Sequence, residues 1–133
     1  MGARLSMIGL LVEDMGRSLG FYRTLGLTIP EGSEEETHVE VEVGGGLILF
    51  WDAAFVGTYD ANREEPNGGY RIVPKFFVGS EKAVDALYAK LVADGHRGHK
   101  APFGTHFGMY MAMVDDPDGD TVLLTAGQRP TAT

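Results

Sequence analysis

The second half of this chain repeats its first half. Val12-Glu13-Asp14 precedes a stretch carrying Phe21, Tyr22 and Leu25, and Val78-Gly79-Ser80 precedes another carrying Leu87, Tyr88 and Leu91; each later residue follows its counterpart by 66 positions in a chain of 133. A short apolar strand, a capped helix and a set of return strands therefore occur twice, as β-α-β-β-β. A copy this small buries too little apolar surface to stand alone. The repeat predicts a single domain over residues 1–133, built from modules at about 5–52 and 70–126 with a linker at 53–69, and any ligand site where the two copies face each other.

Local patterns supply the elements. Ser6 to Val12 is short and apolar, as a strand is, and Asp14 is placed to accept hydrogen bonds from the first free N–H groups of a helix. In that helix Met15, Leu19, Tyr22 and Leu25 recur at spacings of three and four to make one apolar face, Arg17 and Arg23 point to water, and Gly26 ends it. Thr37 to Val43 alternates strictly, with Val39, Val41 and Val43 on one side of a strand. After a Gly44-Gly45-Gly46 turn, Leu47 to Trp51 is apolar on both sides, which implies a strand covered on both faces. The next residues are rich in Gly, Asp, Asn and Pro, as a linker is, and also carry Phe55 and Tyr59. Arg71 to Val78 reads as a strand, Ser80 caps a helix to about Asp94, and Gly95 stops it. Gly108 to Val114 and Asp120 to Thr125 are strands joined by the tight turn Asp116-Pro117-Asp118-Gly119, and Gln128 to Thr133 is expected to fray.

Composition removes whole classes of function. With no cysteine there is no disulfide, thiolate metal site or cysteine nucleophile. A net charge of −8 argues against nucleic acid or an anionic membrane as partner, because phosphate binding needs clustered Lys and Arg. No apolar run reaches the roughly 18 residues of a membrane span, and the first residues lack the order of a signal peptide, so the expected location is the cytoplasm.

The strand ending in Val12-Glu13-Asp14, followed by Ser18, Phe21-Tyr22-Arg23 and Leu25-Gly26, and later Asp116-Pro117-Asp118-Gly119-Asp120 before an apolar strand, resembles the vicinal oxygen chelate superfamily over residues 5 to 126. That superfamily includes glyoxalase I, extradiol dioxygenases and bleomycin-resistance proteins. The resemblance implies an α+β fold in which paired βαβββ modules form a curled, cup-shaped mixed sheet with the helices outside. Its catalytic branches hold a metal. Their usual ligand positions fall here on Met7, Val73 and Leu123, with Leu49 or Trp51 at the inward position of the remaining metal strand. A thioether and hydrocarbons cannot supply the oxygen and imidazole shell of Mg²⁺, Mn²⁺, Zn²⁺ or Fe²⁺. No metal, no cofactor and no catalytic residue is therefore expected, and the sequence leans away from an enzyme.

What remains is a cup lined by apolar groups. If Met7 faces inward, alternation sends Gly9 and Leu11 the same way, and Val73 brings Lys75 and Phe77. Trp51, the only tryptophan, is then expected opposite Phe77, and Phe55 and Tyr59 of the linker join the candidate ligand-binding residues. Phe103, His106 and Phe107 lead into Met109 and Met111, placing aromatic rings beside adaptable thioethers that suit a planar organic ligand.

Other groups read more plainly as structure. His38, Glu40 and Glu42 share a strand face but diverge too far for a tight coordination shell, His96 and His99 follow a helix end where they meet its terminal carbonyls, and Asp115 and Asp116 adjoin a turn whose N–H groups they would bond. The reading is a metal-independent protein of the bleomycin-resistance kind, a homodimer that sequesters a small aromatic or antibiotic-like molecule. Its rivals are a metal-dependent lyase or dioxygenase using His38, Glu40, Glu42, Asp52 or His106 as ligands, and a regulatory module with an empty cup.

Overall fold

The computed structural model describes residues 2–53, 60, 62 and 64–126. Phe55 and Tyr59, and the expected fraying after residue 127, lie outside them. The chain divides into two compact units, Met1–Pro66 and Asn67–Thr133, each a helix with a mixed sheet, which is the expected α+β class.

In the first unit, β1 (Met7–Leu11) leads to α1 (Met15–Thr24), then to β2 (His38–Gly44) and β3 (Leu47–Asp52), in the sheet order β1-β3-β2. Asp14 caps α1 by accepting the Arg17 N–H at 3.0 Å. β1 runs parallel to β3, and α1 is the crossover such a pair requires. The helix buries Met15, Ser18, Leu19, Phe21 and Tyr22, and the Tyr22 ring meets the Trp51 ring edge-on at 5.6 Å.

Among the described residues this unit is one strand short of the expected module. Arg23 explains where the chain goes instead: rather than pointing to water, it donates from Nη2 to the Pro30 carbonyl at 2.8 Å, from Nε to the Ile29 carbonyl at 3.2 Å and from Nη1 to Glu34 at 2.8 Å. These bonds draw the segment after α1 back against the helix, where Ser33–Glu35 forms one 3₁₀ turn. Glu34's carboxyl is held below its ordinary range, chiefly by that hydrogen bond from Arg23.

In the second unit, β4 (Lys75–Gly79), α2 (Glu81–Ala93), β5 (Arg97–Gly104), β6 (Tyr110–Asp115) and β7 (Thr121–Ala126) form the sheet β4-β7-β6-β5. The Ser80 hydroxyl caps α2 through the Ala83 N–H at 3.1 Å. Val84 and Leu91 of α2 are fully buried, as are Ala112, Val114, Val122 and Leu124 on alternate positions of the central strands. Tyr110 donates to Asp85 of α2 at 2.6 Å, which pushes its hydroxyl up to about 12. β5 carries two register shifts. No helix among the described residues is long and apolar enough to cross a membrane.

The turn between β6 and β7 is organised by Asp116, whose Oδ1 accepts the N–H groups of Asp118 and Asp120 at 2.9 Å each. Asp120 follows it, half-buried among Asp116, Asp118 and Asp115, and burial first, then those charges, raise its carboxyl to about 6.

Two expectations follow for stability. Trp51→Ala empties a fully buried site and should cost about 3–5 kcal/mol in denaturant melts. For Asp120, the folded state holds its proton more tightly than the unfolded chain, so stability rises as pH falls from 6 toward 4, and the ionised form destabilises the fold at pH 7. Asp120→Asn should then stabilise by about 1 kcal/mol at pH 7, after discounting for solvent screening of a half-exposed carboxylate. The gain should vanish near pH 4.

Candidate functional site

Each helix covers one face of its sheet, and strand alternation decides which residues the other face presents. In the second unit the register places Lys75, Leu123, Met113 and Lys100 in one row across the four strands, and Phe77, Thr125, Met111 and Phe103 in the next. Both rows lie opposite α2, because Phe76, Leu124 and Ala112 occupy the helix-facing parity between them. Phe77 remains 37 % exposed, and Phe103, Met113 and Leu123 are half-buried. Lys100 Nζ stands 4.4 Å above the centre of the Phe103 ring.

A polar hub closes one end of this face. Asp115, buried at the end of β6, accepts from Arg97 Nη1 at 3.0 Å and from the Thr121 hydroxyl at 2.7 Å, and its Oδ1 lies 3.0 Å from His99 Nδ1. Arg97 and Thr121 are its direct neighbours on the flanking strands. His99 arrives by a different route. Gly98 is opposite Val114 and Lys100 opposite Met113, so His99 is the extra residue of a bulge, which turns its ring to the Asp115 side. Tyr70 meets that ring edge-on at 5.9 Å. With Nδ1 committed to Asp115, Nε2 has no hydrogen-bond partner among the described residues.

The open face of the first unit is built by the same rule. Met7 pairs with Ile48 and Gly9 with Phe50, so Met7, Gly9, Ile48 and Phe50 share the side opposite α1 with His38, Glu40 and Glu42. Gly9 has no side chain because the Phe50 ring lies directly over it; a Cβ there would collide with that ring. His38 stacks at 5.4 Å on Phe50 and meets Glu40 at 2.9 Å.

These registers sort the expected site residues. Met7, Phe77, Phe103, Met111 and Leu123 lie on the sides of their sheets opposite the helices, although Met111 is itself buried there, and Lys75 accompanies Phe77 as alternation predicts. Leu49 and Trp51 do not. Parallel pairing sets Leu49 beside Ile8 and Trp51 beside Leu10 on the helix side, where Trp51 is fully buried and its Nε1 finds no partner among the described residues. Phe50, not Trp51, is the aromatic on the Met7 side. His106 and Phe107 sit at the exposed tip of the β5–β6 hairpin, ring to ring at 5.1 Å, and Met109 is buried at its base, its N–H bonded to the Thr105 hydroxyl at 2.9 Å. A shallow cleft of about 230 Å³ opens beside that base, lined by Glu81, Thr105, Met109 and Tyr110, below the roughly 300–1,000 Å³ of ordinary ligand pockets. Asp116 does bond turn N–H groups, but Asp115 and His99 bond each other. The sequence did not single out Phe50 or Arg97, and it read His99 and Asp115 as purely local structure.

The metal of the catalytic relatives does not fit the side chains present. Met7, Val73 and Leu123 at the usual ligand positions offer a thioether and hydrocarbons. Among the described residues no three His, Asp or Glu side chains converge to hold an ion; Glu40 is engaged with His38.

The family model described as Glyoxalase/Bleomycin resistance protein/Dioxygenase superfamily matches residues 4–124. Among solved structures, a glyoxalase/bleomycin resistance protein/dioxygenase family enzyme from Burkholderia phytofirmans PsJN is similar with a TM-score of 0.77 at 23% identity, over 93% of this chain and 98% of that one. A glyoxalase-related enzyme from Fulvimarina pelagi gives 0.76 at 20%, over 93% and 88%. A lactoylglutathione lyase from Agrobacterium tumefaciens gives 0.63 at 20%, over 95% of each chain. Likeness at these identities concerns the fold. No curated protein matches significantly.

Proposed function

Because this chain belongs to the glyoxalase/bleomycin resistance protein/dioxygenase superfamily, a fold that carries both catalysts and binders, we propose that it binds and sequesters a small aromatic molecule without a metal ion. The observation that carries this reading is the apolar face of the second sheet opposite α2: Leu123 and Met113, both half-buried, at its centre, and Phe77 and Phe103 beside them. A planar ring laid there gains burial and favourable thioether contact. Lyase or dioxygenase chemistry of the metal-bearing kind lacks its donors at Met7, Val73 and Leu123. A homodimer is part of the proposal, since β4 and β5 end the second sheet and β1 and β2 the first, and pairing across a twofold covers edges that otherwise attract other chains.

Three measurements test it. Elemental analysis of protein purified without chelator should find no stoichiometric Zn, Fe, Mn or Ni; one tightly held ion per chain overturns the proposal. Light scattering should give about twice the 14.4 kDa chain mass. In thermal-shift and calorimetric titrations with planar aromatic compounds, Met113→Glu should weaken binding at least tenfold, about 1.4 kcal/mol or more, with the fold retained because Met113 is only half-buried. Equal affinity in that variant removes the second sheet from the site.

A further inference from the structure

The open face of the second unit is cationic as well as apolar, in a chain whose net charge is −8. Lys75 and Lys100 stand at the two ends of the row whose centre is Leu123 and Met113, about 14 Å apart at three strand spacings. Neither has a carboxylate partner among the described residues; Lys100 has only the Phe103 ring beneath it. Acidic groups of this unit lie elsewhere. Glu81, Asp85 and Asp94 belong to α2 and its ends, and Asp116, Asp118 and Asp120 to the turn after β6. Among the described residues of this unit only Asp115 is an acidic group on this face, and its carboxylate is already engaged by Arg97, His99 and Thr121.

Edge protection alone does not explain the sign. Lys75 and Lys100 are on edge strands, where a charge discourages pairing with other chains, but either sign serves that purpose, and the edge strand β2 of the first sheet uses Glu40 and Glu42. Positive charge flanking an apolar row adds something that a neutral ring cannot use. We propose that the molecule bound here is an aromatic anion, a ring bearing a carboxylate, sulfonate or phenolate, whose apolar body rests on Leu123 and Met113 and whose charge is met by the ammonium of Lys75 or Lys100. This inference rests on the proposed binding of an aromatic ligand at this face and names its chemical class.

Two dyes with the same rings separate the two ideas: 8-anilinonaphthalene-1-sulfonate and its uncharged counterpart N-phenyl-1-naphthylamine, titrated by fluorescence into the full-length folded protein at low and high salt. The sulfonate should bind at least tenfold more tightly at low ionic strength, and salt should narrow the gap. The double variant Lys75→Gln/Lys100→Gln should bring the two dyes to near parity, the sulfonate losing at least tenfold more affinity than the neutral dye. Lys82→Gln on α2 should change neither, and Met113→Glu should weaken both. Equal binding of the two dyes to the unaltered protein, or a sulfonate preference that survives the double variant, overturns the anion inference and leaves aromatic binding standing. Failure of both dyes to bind overturns both readings. Circular dichroism melts confirm that each variant is folded, which the exposure of both lysines favours.

Discussion

Each unit depends on a parallel pairing between its first strand and its last, β1 with β3 and β4 with β7. Parallel neighbours cannot be joined by a tight turn, so the chain must cross over one face, and in both units the helix makes that crossing. The helix then needs an apolar surface beneath it, and strand alternation hands the opposite parity to the other face. Val39 and Trp51 go to the helix side in the first unit and Val114, Val122 and Leu124 in the second. The candidate site is what this division leaves over. Two glycines mark where packing is tightest: Gly98 lies under Tyr88 and Val92 of α2, and Gly9 under Phe50 on the open side.

Both helices and their caps were legible because they leave local marks: Asp14 and Ser80 before apolar residues at helical spacing, Gly26 and Gly95 after them. Register was not. Leu47 to Trp51 is apolar at every position, so nothing in the sequence says which residues face the helix, and only the partner strand decides. A shift of one residue put Trp51 on the wrong side and hid Phe50. The signal that could have found Phe50 is Gly9, since a glycine in a strand often marks the close approach of something large.

β5 was hidden for a different reason. Arg97 to Gly104 is polar through its first half, contains Pro102 and is interrupted twice in register, so it lacks both the alternation and the apolar run by which strands are recognised. His99 consequently read as a residue trailing a helix. The adjacent carboxylates Asp115 and Asp116 show how much one step along a strand matters. Asp116 turns toward local N–H groups and organises the hairpin, whereas Asp115, the last residue of β6, reaches across to β5 and β7. A burial this complete is tolerable for a carboxylate only because its partners supply a guanidinium, an imidazole and a hydroxyl.

The departures at Met7, Val73 and Leu123 and the cations at Lys75 and Lys100 belong to one physical account. In the metal-bearing members that this chain resembles, positive charge is concentrated in one ion among polar ligands. Here Leu123, at one of those ligand positions, is part of the apolar row itself, and Lys75 is its partner on the next strand. Positive charge here stands at the two edges of the sheet, on Lys75 and Lys100, carried on flexible stems that lie along apolar surface. A central ion polarises a bound oxygen and so favours reaction, whereas hydrated ammonium groups beside hydrocarbon attract an anion at long range and add little to any bond-breaking step. The binding role proposed for this face draws on that long-range attraction and on the apolar row between the two ammonium groups.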